Sequence, residues 1–418
     1  MATSWIGFVL LNVVISGVAT FLVLPPDSRK GDNYDIQARN ILKRVPLVDG
    51  HNDLGWHIIE NFKGDLSKVD LMKDARTQFP ADPKFLAQTD IPRIRQGQLG
   101  AQIWSAWTPC RFQYKDSVSW ALSTIDIIKQ FVHKYSDTFR FVTAVDDIMP
   151  SFRDGKVASM IGLEGGEMID SNLAILRMYY DLGVRYLTLT WSCDTPWSDS
   201  CNDTRHNTPN HHGLTDFGKR VVLEMNRLGM MVDLSHTAVD TMYDALNVSV
   251  APVIFSHSSS YHICPHERNV PDDVAKLLAA NNGIIMINVY PRFINCTMEN
   301  KHGDDNRTAS VAQVADHFDY FRKLIGSQYL GIGCDFDGSE VNGEMADVSR
   351  YPLLFAELLR RGWSEAELEN VAFRNFHRVF KQVETVRDAM RSVAPDSTLI
   401  DRSAVPDQSC LSTQPYWP

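Results

Sequence analysis

Positive charge is in short supply in this 418-residue chain: 41 Lys and Arg face 51 Asp and Glu, a formal net charge of −10. Proteins that bind by neutralising phosphates carry the opposite sign, so no nucleic-acid partner is expected. The seven cysteines contain no CxxC pair, which removes zinc-ribbon and thioredoxin-like readings. No GxGxxG or P-loop string follows the first strand-like run, so an open nucleotide-binding sheet is disfavoured. Internal repeats and low-complexity blocks are missing too. What is present, 44% hydrophobic and 22% charged residues, requires a large buried core.

The most apolar stretch opens the chain. Residues Trp5 to Leu24 carry no charge, which suits a signal peptide cleaved near Gly17 and Ala19 or a retained membrane anchor. Asn-x-Ser/Thr sequons at Asn202, Asn247, Asn295 and Asn306 agree with export and glycosylation. In an oxidising compartment Cys110, Cys193, Cys201, Cys264, Cys296, Cys334 and Cys410 are expected to form disulfides, the odd number leaving one thiol free or joined to another chain. The expected location is therefore the secretory pathway, ending at the cell surface with membrane association or in secretion. QPYWP after Cys410 carries no glycolipid-anchor signal.

Eight β-branched apolar runs begin at Val45, Gly100, Val157, Val184, Met230, Pro252, Gly283 and Tyr329. Amphipathic stretches separate them, among them those from Asp116, Thr215 and Pro271. This alternation predicts an α/β fold, a closed (β/α)8 TIM-like barrel. The barrel is expected over residues 38–391, after an N-terminal segment (1–24) and before a tail (392–418). The helical run from Trp363 is expected on the barrel's outside.

Six runs end in a side chain able to bind a metal or do acid-base chemistry: His51 with Asp53, Glu164, His236, His257, Tyr290 and Asp335. Active sites of barrels lie at that rim. His51 and Asp53, two apart, point to the same side of an extended strand. An HxD pair alone is more often structural, and its weight comes from the companions at the other strand ends. Three imidazoles and three carboxylates suit two zinc ions per subunit, which lower the pKa of a shared water so that hydroxide exists at neutral pH. Hydrolysis is the expected chemistry, with Asp335 carrying the proton.

The strings VDGHNDL, IGLEGGE, RYLTLTWSCDTPWSD, RLGMMVDLSH, APVIFSHSS, RNVPDDV and GIGCDFDG resemble, in order and spacing, the membrane (renal) dipeptidase family of zinc dipeptidases, from about Ala38 to Val383. The resemblance implies that His51 and Asp53 bind the first zinc, Glu164 bridges, His236 and His257 bind the second, and Asp335 shuttles the proton. It implies a barrel of the metal-dependent hydrolase (amidohydrolase-like) type, in which Arg268 grips the free carboxylate of the dipeptide. It also implies disulfides Cys110–Cys193 and Cys264–Cys296, and a homodimer linked through Cys410.

Two positions depart from the family pattern. Trp191 stands where the family has a substrate-contacting histidine, and an indole N–H donates one hydrogen bond but carries no charge. Glu167 replaces another histidine and is expected to add negative charge beside the cluster. The expected activity is thus zinc-dependent dipeptide hydrolysis, and the alternative is a weak or inactive zinc-binding surface protein of the same fold. A lactonase or cyclic-amide hydrolase is disfavoured, because no lysine stands at the Glu164 position.

Overall fold

The computed structural model describes residues 28–79, 86–202, 210–296 and 308–411. The apolar opening stretch and the Asn306 sequon lie outside them. Nine strands follow in chain order: β1 (Leu47–Asn52), β2 (Leu99–Trp107), β3 (Phe139–Phe141), β4 (Val157–Glu164), β5 (Val184–Thr188), β6 (Met231–Asp233), β7 (Ile254–Phe255), β8 (Ile284–Ile287) and β9 (Leu330–Ile332). All pairings between them are parallel, and β2 bonds β4 from Ala101↔Ala158 to Trp107↔Glu164, which closes eight strands into a barrel. Those eight are the runs seen in the sequence. The ninth, β3, is too short for its pattern to register; it pairs with Val157–Ser159 of β4 before β5 joins at Ile161.

A helix follows each barrel strand and covers it, from Leu54–Phe62 after β1 to Tyr351–Arg360 after β9. Strands buried on both faces explain why the runs read as continuously apolar rather than alternating. The helix Asp216–Leu228 shows the local logic. Thr215 caps it by accepting from the Gly218 N–H, worth about 1 kcal/mol. Phe217, Val221, Val222, Met225 and Leu228 make one buried stripe, and Gly229 at φ 81° ends it in the left-handed region.

The final helix, Asn375–Ala389, corrects one expectation. Asn375 Nδ2 donates to the carbonyls of Ser327 and Leu330, Arg378 to those of Gly283 and Gln328, and Glu384 accepts from the Val145 N–H. These groups flank the starts of β8 and β9 and the segment leading into β4. The helix therefore lies at the barrel's N-terminal mouth rather than on its outer wall, because its polar side chains satisfy backbone groups left open where strands begin. Ser28–Arg44 packs through Ala38, Ile41 and Leu42 into the same core as Tyr351–Arg360. Among the described residues no helix is long and apolar enough to cross a membrane.

Candidate active site

The C-terminal ends of the strands gather the expected residues. His51 lies in β1, Asp53 just beyond it, Glu164 ends β4, and His236, His257 and Asp335 follow β6, β7 and β9. His51 Nε2 is 3.1 Å from Asp53 Oδ2, 3.2 Å from Glu164 Oε2 and 3.9 Å from Asp335 Oδ1. Glu164 Oε1 is 2.9 Å from His236 Nε2 and 3.3 Å from His257 Nε2. One carboxylate thus stands between two groups of imidazoles. His236 and Asp335 hold φ at 68° and 64°, a conformation side chains other than glycine adopt rarely and which collects at functional sites.

Electrostatics follow from burial and mutual contact. Burial alone raises a carboxyl, yet His51, His236 and His257 outweigh it at Glu164 and hold its carboxyl well below the usual range. His51 shows the reverse: burial opposes its charge, but Tyr186, Glu164 and Asp53 raise it well above 6.5. Burial first, then Arg268, lowers His236 to about 3, and burial with His51 lowers His257 well below its ordinary value. Both rings are thus neutral at physiological pH, the form in which imidazole binds a metal, whereas His51 would release its proton as a cation takes its place beside Asp53 and Glu164. Burial, with Asp53 and Glu164 nearby, pushes Asp335 up to about 8 against the pull of His51.

These residues fit divalent cations. Two groups of donors, His51 with Glu164 and His257, and His51 with Asp53 and Asp335, are each close enough to share an ion. His236 Nε2 and His257 Nε2 face each other at 3.0 Å, although two neutral imidazoles have at most one hydrogen to place between them. Asp53 Oδ1 is buried without a hydrogen-bond partner among the described residues. Gly338 leaves the carboxylates room: a Cβ there would fall 2.1 Å from Asp53 Oδ2 and 2.7 Å from Asp335 Oδ1.

Above the cluster opens a cavity of about 1000 Å³, whose lining includes Asp53, Glu164, Trp191, His236, Arg268, Tyr290 and Asp335. His51 and His257 are fully buried beneath. Arg268 donates long bonds of 3.4 Å to Ser258 Oγ and the His257 carbonyl, lies over the Phe293 ring, and among the described residues has no partner for its Nε. That leaves donors for an incoming anion. Tyr290 packs edge-on against Phe293.

Residues 36–394 match the family described as "Membrane dipeptidase (Peptidase family M19)". The chain belongs to the membrane dipeptidase family. It is 44% identical to Dipeptidase 3 of Rattus norvegicus and 43% identical to Dipeptidase 3 of Homo sapiens, each over 361 residues, 86% of this chain and 69% of the relative. A metallo peptidase from Rhodobacter sphaeroides, solved with a phosphinate mimic of the dipeptide L-Ala-D-Ala, shares the fold at TM-score 0.68 and 22% identity, over 81% of this chain and 99% of that one. The probable dipeptidase PvdM from Pseudomonas aeruginosa does so at TM-score 0.70 and 19% identity, over 85% and 99%. This member of the family is a metallopeptidase-type hydrolase acting on dipeptides.

Glu167 corrects another expectation. It is buried, and burial with the nearby Glu164 charge pushes its carboxyl up to about 8 against the smaller pull of Thr108 and its own backbone. At neutral pH it carries a hydrogen and adds no negative charge. Trp191 lines the cavity. Sequence reading missed Tyr186, Asp233 and Ser256, which stand behind the histidines. Their signal was available in YLTLT, VDLSH and FSHSS, on the strands that deliver the site.

Away from the cavity, Cys110–Cys193 and Cys264–Cys296 are joined as disulfides, in accord with the secretory pathway. Cys201 and Cys334 are buried free thiols, and Cys410 is free and exposed. Asn247 is exposed, whereas Asn202 and Asn295 are half-buried.

Proposed function

We propose that the chain is a zinc dipeptidase of the exported or cell-surface compartment, with two zinc ions per subunit and turnover limited by Trp191. The observation that carries this reading is the meeting of His51, His236 and His257 around the Glu164 carboxylate, with Asp53 against His51, at the floor of a cavity whose wall holds Arg268. His51 and Asp53 would hold one ion and His236 and His257 the other, with Glu164 as the carboxylate common to both groups. When bound there, zinc would supply Lewis acidity toward a water and the scissile carbonyl.

The chain's own residues do the rest. Arg268 takes the dipeptide's free carboxylate as a planar two-pronged donor, which selects substrates one peptide bond long. Asp335 accepts the proton of the attacking water and returns it to the leaving amine; its raised pKa of about 8 keeps transfer in either direction within reach near neutral pH. Tyr290 and Trp191 wall the cavity that would receive the dipeptide. We also propose cleavage of the apolar N-terminus or its retention as an anchor, glycans on the sequons, and a homodimer linked through the exposed Cys410.

A second reading, a weak or inactive zinc-binding protein, is favoured by Trp191 alone. Zinc content measured with a dipeptide panel, on wild type and Trp191→His, separates the two. Slow chelator-sensitive hydrolysis that the variant accelerates is the expected result. Zinc binding with no hydrolysis by either protein favours the second reading.

A further inference from the structure

The three candidate ligand histidines differ in what holds their other ring nitrogen. Behind His257, Ser256 Oγ is 2.7 Å from Nδ1 and 2.6 Å from Asp233 Oδ2. Asp233 also accepts from Thr188 Oγ1 at 2.5 Å, from the Ser256 N–H at 2.8 Å and from the Ser235 N–H at 3.1 Å. All of these side chains are buried. With four donors converging on it, Asp233 is the acceptor, so the single hydroxyl hydrogen of Ser256 points to it. The Ser256 oxygen then has a lone pair for His257 and no hydrogen to give. His257 must donate from Nδ1, which leaves the Nε2 lone pair facing Glu164.

Among the described residues neither other histidine has such a relay. His51 Nδ1 meets the Tyr186 hydroxyl at 2.8 Å, a neutral group with no further acceptor behind it in the described bonds. Gly162 makes room for that phenol, since a Cβ there would lie 2.0 Å from the Tyr186 ring. His236 Nδ1 is buried and has no hydrogen-bond partner among the described residues. In the group formed by Glu164, His236 and His257, outer support for the imidazoles therefore comes from Ser256 and Asp233.

We propose that Ser256 and Asp233 are positioning residues for one cation only, the one held by Glu164, His236 and His257, and that they fix the ring hydrogen and orientation of His257. Outer hydrogen bonds of this kind change metal affinity about 10- to 100-fold. The inference rests on the two-cation reading above. Its consequence is that the two ions are separable by a change that touches neither of them.

The test is a competition titration of the full secreted chain with Zn2+ and a chromophoric chelator, on wild type and Ser256→Ala. Circular dichroism and melting of the metal-free proteins control for folding. The expected result is two ions in wild type and, in the variant, one dissociation constant raised about 10- to 100-fold with the other unchanged. Both constants unchanged, or both raised alike, overturns the inference while leaving the two-cation reading standing. Fewer than two ions in wild type defeats that reading, and this inference with it. Should Ser256→Ala not fold, Asp233→Asn keeps the side chain's shape while weakening the acceptor for the Ser256 hydroxyl, and the same selective loss is expected.

Discussion

Trp191 stands edge-on to Trp107, ring centroids 4.8 Å apart, and its own ring lies 6.1 Å from that of His236. The indole is thus wedged at the cavity wall beside a candidate ligand, at the position where the resemblance implies a histidine. Loss of a preorganised donor to developing negative charge costs about 2.7 to 4 kcal/mol, or roughly 100- to 1000-fold in rate. Trp191→His is expected to recover part of that factor in kcat, whereas Trp191→Phe, with no donor, recovers none. Steady-state kinetics on one dipeptide with the three proteins checks it.

Asp335 and the ligands divide the labour. Asp335→Asn keeps the shape of the side chain but cannot accept a proton. Its kcat is expected to fall about 100- to 10,000-fold while the metal content stays that of wild type. Loss of an ion in this variant would instead make Asp335 a ligand.

Arg268 is expected to act on substrates through their free carboxylate. Arg268→Lys keeps the charge and loses the planar fork, at a cost of about 1.5 to 3 kcal/mol for a hydrogen bond to a charged group. For free dipeptides kcat/KM should drop about 10- to 100-fold, and for C-terminally amidated ones it should change little. An equal drop for both would remove the arginine from carboxylate recognition.

Glu167 makes stability depend on pH in a definite direction. Burial raises its folded pKa from the ordinary 4.5 to about 8, so the folded state binds the extra proton. The contribution is fully present below about 4.5 and is lost as pH rises to about 8, at about 1.4 kcal/mol per pH unit. Glu167→Gln cannot ionise and should lose this slope. Chemical denaturation from pH 5 to 8.5 should show the two proteins diverging, with the variant the more stable at the alkaline end.

The Cys264–Cys296 disulfide ties the segment carrying Arg268 to the turn carrying Tyr290 and Phe293. It closes a loop of sequence separation 32, for which chain entropy gives on the order of 3 to 4 kcal/mol. A Cys264→Ala, Cys296→Ala double variant should melt lower and raise KM more than it lowers kcat. Its melting curve and dipeptide kinetics test both points.

The sequence made the barrel legible because eight buried parallel strands leave eight unbroken apolar runs, and because ligand-type residues closed six of them. It hid β3, whose three residues are shorter than any pattern. The place of the final helix was hidden as well, since periodicity shows an apolar stripe but not which part of the barrel receives it. Glu167 misled because charge is read from residue type, whereas its environment neutralises it. Asp233 and Ser256 were overlooked because a serine and an aspartate inside a strand run look like ordinary structural residues until their distances to His257 are known.

The central claim, that His51, Asp53, Glu164, His236 and His257 hold a pair of zinc ions, is tested most directly by anomalous diffraction at the zinc edge from crystals of the secreted protein. Two peaks flanking the Glu164 carboxylate, one toward His51 and Asp53 and one toward His236 and His257, are the result the account requires. A map without a peak at Glu164, from zinc-replete crystals, would contradict it.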